Sequence, residues 1–184
     1  MSSDLTSGAD DAAGAGSGPG DLSEASRRLL EQSFNEGNFD LIDQLVASHA
    51  INHDPATPAE LRGLSGPEMF KRTVSMYRAA FPDVRITVDD VIAADERVVL
   101  RWHSEGTHRG KLAGFAPTGV HGSVTGISID RWKDGKLVET WVEWDNLGLA
   151  RQIGAAPPEG SVGDKIGMGL QRLMARRMRQ KNLR

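Results

Sequence analysis

The sequence predicts an α+β fold in which N-terminal helices pack on a curved antiparallel sheet and leave a conical pocket between the two layers. Three observations carry that prediction. Between residues 21 and 80 apolar side chains recur at helical spacing, and from Val84 to Asp145 the period falls to two. The later stretch also holds Asp134-Gly135 between two alternating runs, a pair suited to a two-residue hairpin turn because both central positions of a type I′ turn need positive φ.

Residues 1–20 are mostly Ser, Gly, Ala and Asp, too poor in large apolar groups to offset the entropy of ordering, and are expected to form a disordered leader. The domain is expected over 21–154. Asp21 or Ser23 caps a first helix carrying Leu22, Leu29, Leu30 and Phe34, which ends at Asn35-Glu36-Gly37-Asn38. A second short helix fits Leu41, Ile42, Leu45 and Val46, and His49 to Pro55 is extended and stopped by proline. After a loop from Pro55 to Gly66, a third helix runs from Pro67 to Ala80, with proline in its first turn. A four-strand meander follows, over Val84–Ala94, Arg97–His108, Gly122–Lys133 and Leu137–Asp145. A short helix after Asn146 closes at Gly154.

Composition narrows the chemistry. The chain has no cysteine, which removes disulfides, thiol nucleophiles and thiolate metal sites. A formal net charge of −3 argues against a nucleic-acid partner, no apolar run approaches a membrane span, and no basic-then-apolar leader marks a signal peptide, so a cytoplasmic protein is expected. There is no HExxH, and the pair His49 and His53 sits in an extended piece where i and i+4 are far apart, so neither a metal nor a cofactor is expected. Nor is there a GxSxG elbow, a GxxxxGK[ST] loop or a GxGxxG after a strand.

Alternation in the last strand points to a site. Leu137, Glu139, Trp141, Glu143 and Asp145 share one face, and Val138, Thr140, Val142 and Trp144 the other. If both faces are covered, the first lines a cavity with a carboxylate at its end, whose pKa burial would raise toward neutrality; otherwise these carboxylates face solvent. Asp145 is the candidate base, with Trp102, Trp141 and Glu143 as walls or partners and Asn52 and His53 on an early segment nearby. Val142 and Trp144, on the far side, suggest a covered surface and hence a homodimer.

The end of the chain differs in character. Residues 155–163 form a Pro- and Gly-containing linker, and 164–184 form a helix with Ile166, Leu170, Leu173, Met174 and Met178 along one stripe. It carries seven Lys or Arg against one Asp, so it is +6 where residues 1–163 are −9. Such a helix suits a membrane surface, an acidic partner, its own domain or a dimer mate.

Six segments in order, Asn52-His53-Asp54-Pro55, Gly106 to Gly110, Pro117-Thr118-Gly119, Ile127 to Arg131, Asp134 to Glu139 and Trp144 to Gly154, resemble the SnoaL-like polyketide cyclases, also called predicted ester cyclases, over about Leu22 to Gly154. The resemblance implies the cone-shaped α+β barrel shared with nuclear transport factor 2 and ketosteroid isomerase. It implies an intramolecular aldol condensation on an aromatic polyketide ester, without metal or covalent intermediate. It places the acid/base aspartate just before the last short helix, at Asp145, and a substrate contact near Asn52. Where the cyclases have a histidine fourteen residues before that aspartate, this chain has Arg131, which stays charged and would anchor an anion or polarise a carbonyl rather than share a proton. The rival readings are a non-catalytic small-molecule-binding or dimerisation module in the same cavity, and an epoxide-type hydrolase, for which no Asp-Arg-Asp constellation is visible.

Overall fold

The computed structural model describes residues 19–182, with side chains from 21 to 179. The expected leader lies outside the described residues except for Pro19 and Gly20, where the first helix already begins. The order of elements is α1 (Pro19–Glu36), α2 (Phe39–Leu45), β1 (Val46–His53), a short 3-10 turn (Ala59–Leu61), α3 (Gly66–Ala80), β2 (Arg85–Ala94), β3 (Arg97–Thr107), β4 (His121–Lys133), β5 (Lys136–Trp144), α4 (Asn146–Gln152) and α5 (Val162–Asn182).

The meander from β2 to β5 forms as the alternation predicts. Its last turn has positive φ at both Asp134 and Gly135, 50° and 72°, as a type I′ hairpin requires. The early segment does more than the sequence suggested. Val46, expected to end α2, instead opens a strand that pairs parallel with β5, giving a five-stranded sheet in the order β1-β5-β4-β3-β2. β1 and β2 are the two free edges, so the curved sheet stays open.

Both layers meet in one core. Leu22 and Leu29 of α1, Ile42 of α2 and Val74 of α3 pack against Val98, Leu100, Trp132 and Leu137 of the sheet. The β2 edge is not left bare. Arg27, Glu31 and Asn35 lie one turn apart on the same face of α1. Arg27 donates to the Val88 carbonyl (2.9 Å), Glu31 accepts from Val88 N–H (2.8 Å), and Asn35 bonds both the N–H and the carbonyl of Ile86 (2.7 and 2.9 Å). Three helical side chains thus fill the hydrogen-bonding positions of an absent neighbouring strand.

Beyond Gly154 the chain reaches α5, whose side chains from Lys165 to Arg179 are exposed except at Ala175.

Candidate functional site

The inner face of the sheet is ordered in rows by the strand register. Asn52, Thr140, Asp130 and Val98 form one row across β1, β5, β4 and β3. Val142, Ser128 and Leu100 form the next, and Trp144, Gly126 and Trp102 the third. Adjacent strands stand about 4.8 Å apart, so side chains in one row touch or nearly touch. Against these rows lie Leu29, Leu30 and Phe34 of α1 and Phe70, Val74 and Tyr77 of α3, and a largely apolar cavity remains between the layers. Gly126 is required there: a Cβ would fall 2.3 Å from the Trp102 ring, which lies across this position.

Three carboxyls break the apolar lining: Asp130, Asp54 and the exposed Glu105. Asp130 is buried, and its Oδ1 accepts from the Thr140 hydroxyl at 2.7 Å. Trp132 Nε1–H donates to Ser26 at 2.8 Å, and the Ser26 hydroxyl in turn hydrogen-bonds Asp130. These bonds favour the charged form, yet burial outweighs them and the Asp130 carboxyl is pushed up to about 6. Asp54, just past β1, is also raised by burial, against hydrogen bonds from Ala56 N–H (2.8 Å) and the Trp144 side chain. Tyr77 stacks edge-on against Trp144 with centroids 6.0 Å apart, and burial raises its phenol so that it remains a neutral donor. No Lys, Arg or His is among the described residues that line the cavity.

The side chains expected at the site fall in three places. Asn52 and Trp102 line the cavity, Trp102 donating Nε1–H to Ser128 at 2.9 Å, and the Asn52 carbonyl oxygen is buried without a hydrogen-bond partner. His53, Arg131 and Trp141 lie on the opposite, outer face. There Glu139 accepts from Arg131 (2.7 Å) and pairs with His53 Nε2 (2.9 Å), while His53 stacks on Trp141 with centroids 5.2 Å apart. The Arg131 guanidinium, and then His53, hold the Glu139 carboxyl below its ordinary value. Glu143 is exposed and borders a shallow groove with His53, Asp54 and Trp141.

The expected grouping of Glu139, Trp141 and Glu143 against Thr140, Val142 and Trp144 holds, but it is the second set that faces the cavity, and Leu137 lines the cavity with it. A bulge sets Trp132 opposite Leu137 but Arg131 opposite Glu139, so Val138 is an extra residue that reverses the alternation. Thr140, Val142 and Trp144 turn into the cavity, and Glu139, Trp141 and Glu143 turn out. Val142 and Trp144 are thus covered by the protein's own helices, and they no longer argue for a dimer. Asp145 lies beyond the strand, exposed, where its Oδ1 accepts from Gly148 N–H at 2.7 Å and caps α4. It is not among the cavity-lining residues. Two side chains fourteen residues apart that face one another across β4 and β5 inside the cavity are Ser128 and Val142. Arg131 and Asp145 have that spacing in sequence but do not face each other.

Sequence reasoning missed Asp130, Asp54, Tyr77 and Thr140. A signal for Asp130 was present: in Ile127-Ser128-Ile129-Asp130 the isoleucines alternate with polar residues, and it is the polar set that faces inward.

Comparison with known proteins gives the same outline. The family model described as SnoaL-like polyketide cyclase matches residues 24–153. The aklanonic acid methyl ester cyclase AcmA of Streptomyces galilaeus is 31% identical over 137 residues, which are 73% of this chain and 92% of that protein. Among solved structures, IdmH of Streptomyces antibioticus is 30% identical, with a TM-score of 0.61 over 72% of this chain and 97% of its own. TsrD of Streptomyces laurentii is 26% identical, with a TM-score of 0.62 over 72% and 96%. With its inner cavity, its open curved sheet and a family match across the whole of both, the chain belongs to the SnoaL-like polyketide cyclase family.

Proposed function

We propose that the protein closes a ring on a neutral, carbonyl-rich small molecule by acid/base chemistry, as an intramolecular aldol addition, with Asp130 as the group that takes and returns the proton. The observation that carries this reading is the Asp130 carboxyl itself, with its pKa near 6 in the wall of an apolar cavity. A base of that strength is about half ionised near pH 6 and can exchange a proton with an activated C–H between two carbonyls. The enolate then adds to a second carbonyl of the same molecule, and the protonated carboxyl returns its proton to the new alkoxide. Tyr77 is a neutral donor for a substrate carbonyl oxygen, and the unpartnered Asn52 Oδ1 is an acceptor for a substrate hydroxyl.

The cavity's electrostatics select the substrate. With three carboxyls and, among the described residues, no cation in its lining, it would leave an anionic ligand unpaired, a costly state in an apolar site. An ester suits it better than a free acid, in keeping with a relative whose name specifies a methyl ester.

The test is a chromatographic ring-closure assay of the protein, Asp130→Asn and Asp145→Ala on a panel of aromatic β-keto esters. Asp130→Asn is expected to lose about 10²- to 10⁴-fold in rate. Asp145→Ala is expected to keep the rate and lose about 1 kcal/mol of stability as a helix cap. Loss of closure in Asp145→Ala with Asp130→Asn unaffected would return the base to Asp145. A wild-type protein that binds these esters without turning them over would favour the binding-module reading.

A further inference from the structure

We infer that Asp54 is a second acid of the cavity, and that the protein carries ring closure on to loss of water, with Asp54 protonating the hydroxyl that leaves. The inference rests on the ring-closure reading above. Aldol addition needs one carboxyl, which takes a proton and returns it, and the lining holds a further carboxyl that this step leaves idle. Asn52, Thr140 and Asp130 share one row of the sheet, and Asp54 follows Asn52 by two residues. Asp54 therefore stands two strands across and one two-residue step along from Asp130, about 12 Å between Cα atoms. Both line the same cavity, so a ligand that fills it meets a carboxyl at either end. Glu105, the third carboxyl of the lining, is exposed and faces His121 at 3.7 Å, outside this pair.

The surroundings of Asp54 suit an acid that must end its step charged. Burial raises its carboxyl above the ordinary aspartate value, and the Glu143 carboxylate of β5 adds to the rise, so the proton is held into a higher pH range. Two hydrogen bonds then receive the carboxylate once the proton has gone: Ala56 N–H donates to Oδ1 at 2.8 Å, and the Trp144 side chain donates to the same group. Tyr77 of α3 is the other titratable neighbour; burial raises its phenol, so it donates a hydrogen bond without giving up its proton. Asn52 and Asp54 also border the outer groove, where His53 and Arg62 lie. From there water can restore a proton to Asp54, whereas Asp130 is buried.

The chemistry follows from the substrate that ring closure requires. A CH₂ group between two carbonyls has two acidic hydrogens, and forming the enolate removes only the first. After addition the second is still flanked by both carbonyls, on the carbon next to the one that now bears the hydroxyl. Asp130, ionised again once it has returned the first proton, takes this second one. The electron pair of that C–H bond becomes the new C=C bond, the C–O bond breaks, and its electrons leave with the oxygen, which Asp54 protonates to water. Without Asp54 the oxygen would depart as hydroxide into an apolar site, a costly state. As product leaves, Asp130 loses its proton to solvent and Asp54 regains one, so the sum is the loss of one water with nothing oxidised or reduced.

The experiment uses the full chain and two substrates, followed by chromatography with mass detection. One is an aromatic β-keto ester with an unsubstituted CH₂ between its carbonyls. The other is the matching cyclic aldol adduct, supplied ready-made so that loss of water is read independently of ring closure. The wild type is expected to turn both into a product lighter than the adduct by one water. Asp54→Asn is expected to release water from the adduct about 10²- to 10⁴-fold more slowly and, on the ester, to leave the hydroxylated adduct as its main product. The wild-type rate of water loss is expected to fall as pH rises through the Asp54 pKa, a limb that Asp54→Asn lacks. Asp54→Ser, whose hydroxyl can still accept from Ala56 N–H, is the second variant should Asp54→Asn fail to fold, with the same loss expected. An adduct that the wild type leaves intact overturns the inference, and ring closure in that same protein would leave the ring-closure reading standing. Water loss at equal rates in the wild type and Asp54→Asn overturns it as well. Water loss from the adduct that depends on Asp54, with no closure of the ester, would uphold the role of Asp54 and end the ring-closure reading.

Discussion

Asp130 and Glu139 stand in adjacent positions of the same two-stranded ladder, yet their carboxyls move in opposite directions. Asp130 pairs with Thr140 on the inner face, is shut off from water and rises to about 6. Glu139 pairs with Arg131 on the outer face, is held by a guanidinium and an imidazole, and falls. Both are carboxylic acids, one on each of two paired strands, β4 and β5. The face of the sheet, and whether a cation or only hydroxyls and apolar groups await the carboxylate there, decides which of the two can trade a proton near neutral pH.

The strongest test of that contrast is the pH dependence of stability. Folding raises the Asp130 pKa above its unfolded value, so the folded state binds the proton more tightly. The stability this contributes is fully present below about pH 4 and is lost as pH rises through about 6. Compared with Asp130→Asn across that window, the wild type is expected to lose about 3 kcal/mol in urea unfolding, from 1.36 kcal/mol per unit. A flat difference between the two proteins would place Asp130 in water. Next in size is Thr140→Val, which removes a hydroxyl without changing shape. It is expected to cost about 1 kcal/mol above pH 6, where the carboxylate loses a donor, and to move the ring-closure pH profile upward. An unmoved profile would mean that Thr140 does not tune the group. The smallest effect is expected from Arg131→Ala: an unfolding midpoint within error and an unchanged pH–rate profile, because its ion pair is partly exposed and lies on the other side of the sheet. A shifted profile would couple the two faces and break the comparison.

Much of the fold was legible because helices and strands announce themselves by period. The stripe Leu22, Leu29, Leu30 and Phe34, the alternation along β2 and β3, and the Asp-Gly turn each specify an element within a dozen residues. β1 was only half legible, since pairing with β5 at a distance of more than eighty residues leaves no local mark. The site was less so, and for one physical reason: Val138 adds a residue to β5, and a single extra residue inverts every side chain beyond it. The same phase error placed Asp145 in the cavity, although an aspartate directly ahead of a short helix already has the chemistry of a cap. Trp102 was legible because the alternation of β3 runs unbroken to it, whereas Asn52 follows a register shift in β1 and was reached only as a neighbour on the early segment and through the family resemblance.

The clamp of Arg27, Glu31 and Asn35 on β2 bears on the solubility of the chain. An open sheet offers its outermost strand as a template for any other extended chain, and here that template is occupied by a helix that imitates a strand. Protection against runaway association is thus lodged in three polar side chains of α1 rather than in the strand itself. Amide exchange at Ile86 and Val88 is expected to report how often α1 lifts away, and each such event would briefly expose a β2 edge able to recruit a neighbour.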